Sequence, residues 1–328
     1  MEAIYEFINK NGCDSLKIFK EVDLDNFLML LKQIKIKYKD NLNIPLNLTF
    51  GCEIEFELAD YKQVKEALET LIKKNKVQNW LLEKEEFVTK TDLTGVYGGE
   101  IDSPILNNTK DNWLELKAVC EMLKENKALA LNECGAHIHV GTQILESPKA
   151  WLNFIKLWII YEKIIYRFSY GLNELPRTKI DFYAHPIGNS LFRSLKDIKY
   201  EQDLKIILNN ICFQMPVGLN FNNASIYPKD KNTIEIRCPN GTIEPIIWQN
   251  NINFFIKLLM YANNPNFDND IIDYHLKKYT TSQNVLSKFN QVYYDEALEL
   301  SDLIFDNNLD KLYFLRQYFK GDKQFILK

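Results

Sequence analysis

The chain has 328 residues, of which 46% are hydrophobic and 26% are charged, and its formal net charge is −4. This length and apolar content predict one large domain, or a core with additions. Because basic residues are not in surplus, we expect no nucleic-acid partner.

Cysteines and apolar segments bear on the location of the protein. The six cysteines form no Cys-x-x-Cys pair, which argues against a zinc knuckle or redox motif and favours reduced, buried thiols. The N-terminus has neither a basic region nor a long apolar run, so we expect no signal peptide and a cytoplasmic location. The longest apolar stretch, residues 151–170, is interrupted by four charged residues and predicts a buried helix, so we expect no membrane partner.

Residues 1–45 predict two or three short helices, because apolar residues such as Leu24, Leu28 and Leu31 fall at helical spacing. We interpret this region as an N-terminal helical extension that packs on the rest of the chain and takes no part in chemistry. Pro45 ends its pattern.

A strand is predicted over residues 50–58, where apolar and acidic side chains alternate with period two. One face would carry Cys52, Ile54, Phe56 and Leu58, and the other Glu53, Glu55 and Glu57. Neighbours on one face are roughly 7 Å apart, so these carboxylates repel one another unless a cation lies between them. The simplest alternative is the solvated outer face of a half-buried strand.

Further elements follow in chain order. A helix begins after Asp60, a strand covers 80–88, a loop covers 91–97, and a short strand at 100–105 stops at a proline. Helices are predicted from Asp111 to 123 and at 148–170, 199–212 and 245–262, and strands at 137–141, 218–221 and 233–239.

Because hairpin-like loops as well as helices join the strands, we predict an α+β fold with a largely antiparallel sheet. We assign 46–262 to a catalytic core and 263–328 to a C-terminal helical region packed on it.

Four predicted strands carry reactive side chains on the face opposite the apolar one. The pairs are Glu53 with Glu55, Glu100 with Asp102, His137 with His139, and Glu235 with Arg237. If the strands are neighbours, carboxylates and imidazoles meet on one polar face and suit Mg²⁺ or Mn²⁺, while an arginine among them suggests that phosphate is bound there. Taken singly, each pair also fits a solvated face, partly buried histidines or a salt bridge.

The P-loop, the dinucleotide-binding glycine motif, G-x-S-x-G and H-E-x-x-H are absent, so any ATP would bind through metal ions and a sheet.

The order of these motifs resembles that of the amidoligase family, carboxylate–amine ligases related to glutamine synthetase. The matching segments are 51–55, 99–104, 134–141 and 233–237 with 241–242, and the resemblance covers roughly residues 48–262. It implies a glutamine synthetase-like fold, in which a curved, mostly antiparallel sheet forms an open half-barrel backed by helices. ATP and two or three divalent ions would lie on its concave face.

The resemblance also implies roles for individual residues. The ion nearest the γ-phosphate would be held by Glu53, His137 and Glu235, and the ion nearer the substrate carboxylate by Glu55 and Glu100, with Asp92 as a further acid. His139 would contact the nucleotide, and Arg237, catalytic together with Glu235, would stabilise the phosphoryl group in transfer. Arg177 would bind a substrate carboxylate.

The chemistry expected of such a site is ATP-dependent amide formation. ATP would convert a carboxylate into an acyl phosphate that an amine attacks, with metal ions and Arg237 stabilising the transferred group. The alternatives are a phosphotransferase that stops at a phosphorylated product, and a non-catalytic module or metal-dependent hydrolase. The expected partners are small-molecule or peptide carboxylates and amines, and the analogy suggests a homo-oligomer.

Overall fold

The computed structural model of the protein describes residues 36–195, 197–198, 216–224, 232–281 and 285–320, with the isolated positions 28, 29, 31 and 204. Most of the predicted N-terminal helices and of the helix at 199–212 therefore lie outside the described residues.

One open sheet of eight strands forms the centre of the described fold. Its strands are β1 (Thr49–Asp60), β2 (Leu81–Glu83), β3 (Lys90–Thr91), β4 (Val96–Asp102), β5 (Leu106–Asn107), β6 (Ala136–Gly141), β7 (Leu219–Asn220) and β8 (Thr233–Ile236). They follow the order β2-β4-β1-β6-β8-β7, with β3 beside β4 and β5 beside β1. All of these strand pairs are antiparallel, which confirms the predicted α+β class and the largely antiparallel sheet.

Helices back this sheet. They are α1 (Tyr61–Lys73), α2 (Lys110–Glu125), α3 (Pro148–Ser169), α4 (Ile180–Tyr183), α5 (Gly188–Leu195), α6 (Pro245–Ala262), α7 (Asn269–Lys278), α8 (Val285–Phe289), α9 (Tyr294–Ile304) and α10 (Asn308–Phe319). Asp60 caps α1, as predicted, by accepting the Gln63 N–H at 2.8 Å. Thr109 caps α2, and Asp111, the predicted cap, lies in its first turn. In the described part of the chain, none of the helices has the length and apolarity that crossing a bilayer requires.

The apolar face of β1 lies in the core. Cys52, Ile54 and Phe56 are at most 2% exposed, and Phe50 stacks on Trp113 of α2 with ring centroids 4.8 Å apart. The C-terminal helices α9 and α10 pack against the helices α3 and α6, since each of them contacts both. Burial of one face leaves the opposite face of the sheet to carry the acidic residues.

The alternation of β1 ends at Leu58, which was predicted to lie on the apolar face. Leu58 is 58% exposed with φ of 68°, while Ala59 is buried. The register with β4 shifts between Phe56 and Asp60, and such a bulge bends a strand. Gly98 lies across this bulge at φ of +78°, where any side chain would run into the carbonyl oxygens of Val88 and Phe56.

The strand predicted at 80–88 is also shorter than expected. β2 ends at Glu83, and the Glu85 carboxylate accepts the N–H groups of Phe87 and Val88 at 2.6 and 3.3 Å. These hydrogen bonds close a turn that alternation alone does not reveal, and they place Phe87 next to the acidic face.

Candidate active site

Strand register brings the predicted acidic and imidazole side chains together on one face of the sheet. The directly opposed pairs are Glu53 with Asp102 and with His137, Glu55 with Glu100, and His139 with Glu235. Opposed residues on one face of an antiparallel pair have their side chains close enough to interact. The four reactive pairs therefore form one continuous surface.

A half-open pocket of about 130 Å³ lies over this surface. It is lined by five glutamates, one histidine, two arginines and two aromatic residues: Glu53, Glu55, Glu85, Glu100, Glu133, His137, Arg177, Arg237, Phe87 and Tyr183. The pocket therefore combines an acidic wall with a cationic end.

Glu53 stands between two imidazoles. Nδ1 of His137 lies 2.7 Å from one of its carboxylate oxygens, and Nε2 of His139 lies 2.6 Å from the other. Burial acts to raise the pKa of Glu53, but the hydrogen bonds to the two histidines outweigh it and hold the pKa below its usual range. Glu53 is therefore ionised and fixed in orientation.

Glu100 and Asp102 lie where negative charge is crowded. Burial, together with the charges of Glu53, Asp102, Glu55 and Glu85, raises the pKa of Glu100 to about 9. Burial and the charge of Glu53 raise the pKa of Asp102 to about 6. One carboxylate oxygen of Asp102 is buried and has no hydrogen-bond partner. This part of the face therefore fits a positively charged ligand.

Two sets of donor atoms are compact enough to hold a metal ion, with all ligand atoms of a set within 4.8 Å of one another. One set is Glu53, Glu100 and His137, and the other is Glu53, His139 and Glu235. This grouping differs from the one implied by resemblance, because His139 joins Glu235 while His137 joins Glu100. Carboxylate oxygens with imidazole nitrogens are donors that suit Mg²⁺ or Mn²⁺.

Glu55 belongs to neither set and contacts the loop before β6 instead. It is 5% exposed, and one of its oxygens accepts the Gly135 N–H at 2.6 Å and lies 4.0 Å from Nη1 of Arg177. Its other oxygen lies 3.5 Å from Nε2 of His137. A Cβ atom at Gly135 would overlap the Arg177 guanidinium, so glycine is needed there for this close approach.

Two arginines form the cationic end of the pocket. Arg237 donates to one oxygen of Glu235 at 2.5 Å, and Asn220 donates to the other at 2.8 Å. Arg177, only 4% exposed, donates from Nη2 to the Arg237 carbonyl oxygen at 3.1 Å, while its Nε is buried without a hydrogen-bond partner. The Arg177 side chain is therefore fixed and retains an unused donor.

Asp92 is the one predicted site residue that the structure does not bring to this group. It lies exposed in the hairpin turn between β3 and β4. Its carboxylate accepts the Thr94 N–H at 2.7 Å, the Thr94 hydroxyl at 2.6 Å and the Gly95 N–H at 3.1 Å. Asp92 thus holds its own turn, and a position as metal ligand does not fit its location.

Several pocket residues have no role in the sequence analysis. Glu85 and Phe87 lie in the strand predicted at 80–88, which is not one of the four strands that pair reactive side chains, and Glu133 precedes the strand predicted at 137–141. No motif therefore identifies these three residues. Asn220 does not line the pocket but donates to Glu235. Its only signal in the sequence is its place in the strand predicted at 218–221, because the pairing with Glu235 depends on strand register.

Comparison with known proteins identifies one family whose model matches this chain. A family model described as "putative amidoligase enzyme" matches residues 46–259, which is more than half of the chain. This span agrees with the segment of roughly 48–262 over which the motifs show their resemblance. No curated protein matches the chain.

Proposed function

The chain belongs to the amidoligase family, and we propose that it is an ATP- and Mg²⁺-dependent ligase that joins a carboxylate to an amine through an acyl phosphate. Family membership indicates a ligase-type enzyme. The nucleotide, the metal ions, the acyl phosphate and a glutamine synthetase-like half-barrel are the finer parts of the proposal.

The observation that carries the proposal is the position of Glu53. It belongs to both metal-binding sets and lies in the same pocket as Arg177 and Arg237. Carboxylates that crowd one another beside two guanidinium groups suit a ligand that contains both cations and anionic oxygens, as a metal–nucleotide complex does. The free oxygen of Asp102 and the raised pKa of Glu100 support the same conclusion.

The residues that would hold the ions are Glu53, Glu100 and His137 in one set, and Glu53, His139 and Glu235 in the other. When bound, divalent ions would neutralise phosphate oxygens and favour phosphoryl transfer. Glu55 would support the first set through its contact with His137.

Arg237 would act on the transferred phosphoryl group. Its guanidinium is oriented by Glu235 and by the Tyr183 carbonyl oxygen, which accepts from Nε at 3.4 Å, and it lines the pocket. A guanidinium held in advance stabilises charge that develops during transfer. Arg177 is suited to bind the carboxylate of the acid substrate.

ADP release by the purified protein, measured with Mg²⁺ and ATP across a panel of acids and amines, tests the proposal. We expect ADP release that requires one acid and one amine together, and a product whose mass is the sum of both less one water. If no combination raises ADP release while Mg²⁺ and ATP bind, the proposal is wrong. A product that gains a phosphate would instead show a phosphotransferase.

A further inference from the structure

Three aromatic side chains, Phe87, Phe182 and Tyr183, form a continuous surface at the open end of the pocket, which we call the aromatic rim. The ring centroids of Phe87 and Tyr183 are 4.6 Å apart, and those of Phe182 and Tyr183 are 5.0 Å apart. Phe87 and Tyr183 line the pocket, yet Phe87 is 46% exposed and Phe182 is 64% exposed. The rim is therefore in contact both with the pocket and with solvent.

Two separate segments hold the rim in place. Phe87 is fixed by the turn that the Glu85 carboxylate closes, and the next residue, Val88, is 1% exposed. Tyr183 ends α4, and its carbonyl oxygen accepts from Arg237 at 3.4 Å. Both segments thus depend on residues that line the pocket.

The energetics of the rim suggest a ligand. Exposed aromatic side chains forgo the burial energy that such large rings supply in a core. Contiguous apolar surface beside a polar pocket is typical of sites that bind an organic molecule. The proposed reaction assigns no role to any of these three rings.

Charge decides which co-substrate the rim contacts. The Arg177 guanidinium carbon lies 6.0 Å from the centre of the Tyr183 ring, and Arg237 binds the Tyr183 carbonyl oxygen. The cationic end of the pocket therefore adjoins the rim. A ligand whose carboxylate is bound by Arg177 would extend its remaining atoms over the aromatic rings.

We propose that the aromatic rim binds an apolar group of the acid substrate, so that this substrate is a carboxylic acid with a hydrocarbon or aromatic body a few bonds from its carboxylate. The inference rests on the proposed function, because it treats the bound acid as a substrate. The binding preference itself can be measured without turnover.

A matched pair of acids, 3-phenylpropionate and propionate, tests the inference. Their binding to the full chain is compared by saturation-transfer NMR and titration, and their turnover by ADP release with Mg²⁺, ATP and hydroxylamine as a small amine. Burial and stacking of one ring both add to the binding of the carboxylate, so we expect 3-phenylpropionate to bind about tenfold tighter than propionate, or more.

The variants locate the preference. F87A should remove most of it, and F87L, which keeps an apolar side chain, should retain part. L93A is the matched control, because Leu93 is an exposed apolar residue of the β3–β4 turn that does not line the pocket, and it should leave the preference unchanged.

Equal binding of the two acids to the wild type, or a preference that F87A leaves intact, would overturn the inference. A preference that depends on Phe87 for 2-phenylethylamine over ethylamine, and is absent for the acids, would also overturn it by assigning the rim to the amine. Selective binding of 3-phenylpropionate without ADP release would support the rim, because the ligase function is tested separately by the full panel of acids and amines.

Discussion

Buried charged side chains occur both in the helical layer and on the polar face of the sheet. The groups that surround them differ between the two regions. In the helical layer, Lys257 pairs with Asp306 at 3.1 Å, and Glu162 accepts the N–H groups of Ile187 and Gly188 at 2.8 and 2.9 Å. On the polar face, Glu100 and Asp102 lie among other carboxylates. Buried charged groups that the chain itself pairs or hydrogen-bonds serve the fold, whereas carboxylates crowded together mark a place for an external ligand.

The largest effect is expected from Glu53→Gln, which removes the charge shared by both metal-binding sets. We expect ADP-forming activity to fall by about 100-fold or more, because electrostatic stabilisation is the main contribution of such sites. Activity is measured as ADP release, and folding by circular dichroism.

Glu162→Gln provides the matched control for this change. It makes the same substitution at a buried glutamate of the helical layer, and its remaining oxygen still accepts from the neighbouring N–H groups. Its activity should stay within about twofold of the wild type. Equal losses in the two variants would show that Glu53 acts on the fold alone.

A smaller effect, on thermal stability, is expected from Glu100→Gln. The pKa of Glu100 is raised to about 9, above its value of about 4.3 in an unfolded chain, so its contribution to stability is fully present below pH 4.3 and is lost as the pH rises through 9. Without metal, the glutamine variant should therefore be more stable than the wild type at pH 8.5, and the difference should shrink at pH 5.

Mn²⁺ sharpens this measurement. Because a carboxylate must be ionised to bind a metal, Mn²⁺ should raise the melting temperature of the wild type more at pH 8.5 than at pH 6. The glutamine variant should show a smaller rise at both values. A variant that is less stable than the metal-free wild type at pH 8.5 would contradict the crowding of negative charge around Glu100.

The smallest effect is expected from Asp92→Ala. Because Asp92 is exposed and its hydrogen bonds lie within its own turn, the loss of stability should be small, and activity should change by less than about twofold. Chemical denaturation and ADP release measure the two quantities. A tenfold loss of activity with stability intact would instead assign Asp92 a part in the reaction, as the family resemblance implies.

The polar face could be predicted from the sequence because alternation with period two assigns each side chain to a face. It identified Glu53, Glu100, His137 and Glu235 before any strand pairing was known. The division of the donors into sets depends on register between strands, which a single sequence does not contain. The resemblance implies a set of Glu53, His137 and Glu235, whereas the register groups His139 with Glu235.

Local backbone geometry accounts for the other differences. Leu58 leaves the apolar face because a bulge interrupts the alternation, and the turn at Glu85 depends on hydrogen bonds from that side chain to the backbone. Phe87 reaches the pocket only through that turn. A pattern of hydrophobicity predicts neither the bulge at Leu58 nor the turn at Glu85.

Glu53 lies in both candidate metal-binding sets, and this sharing would link the occupancies of the two positions. A single carboxylate can offer one oxygen to each of two cations, but its one negative charge is then divided between them. The second cation would meet both the repulsion of the first and a ligand that the first has already oriented. Ion titrations of this protein should therefore be described by one coupled pair of sites, with a stoichiometry that changes when Glu53 alone is replaced.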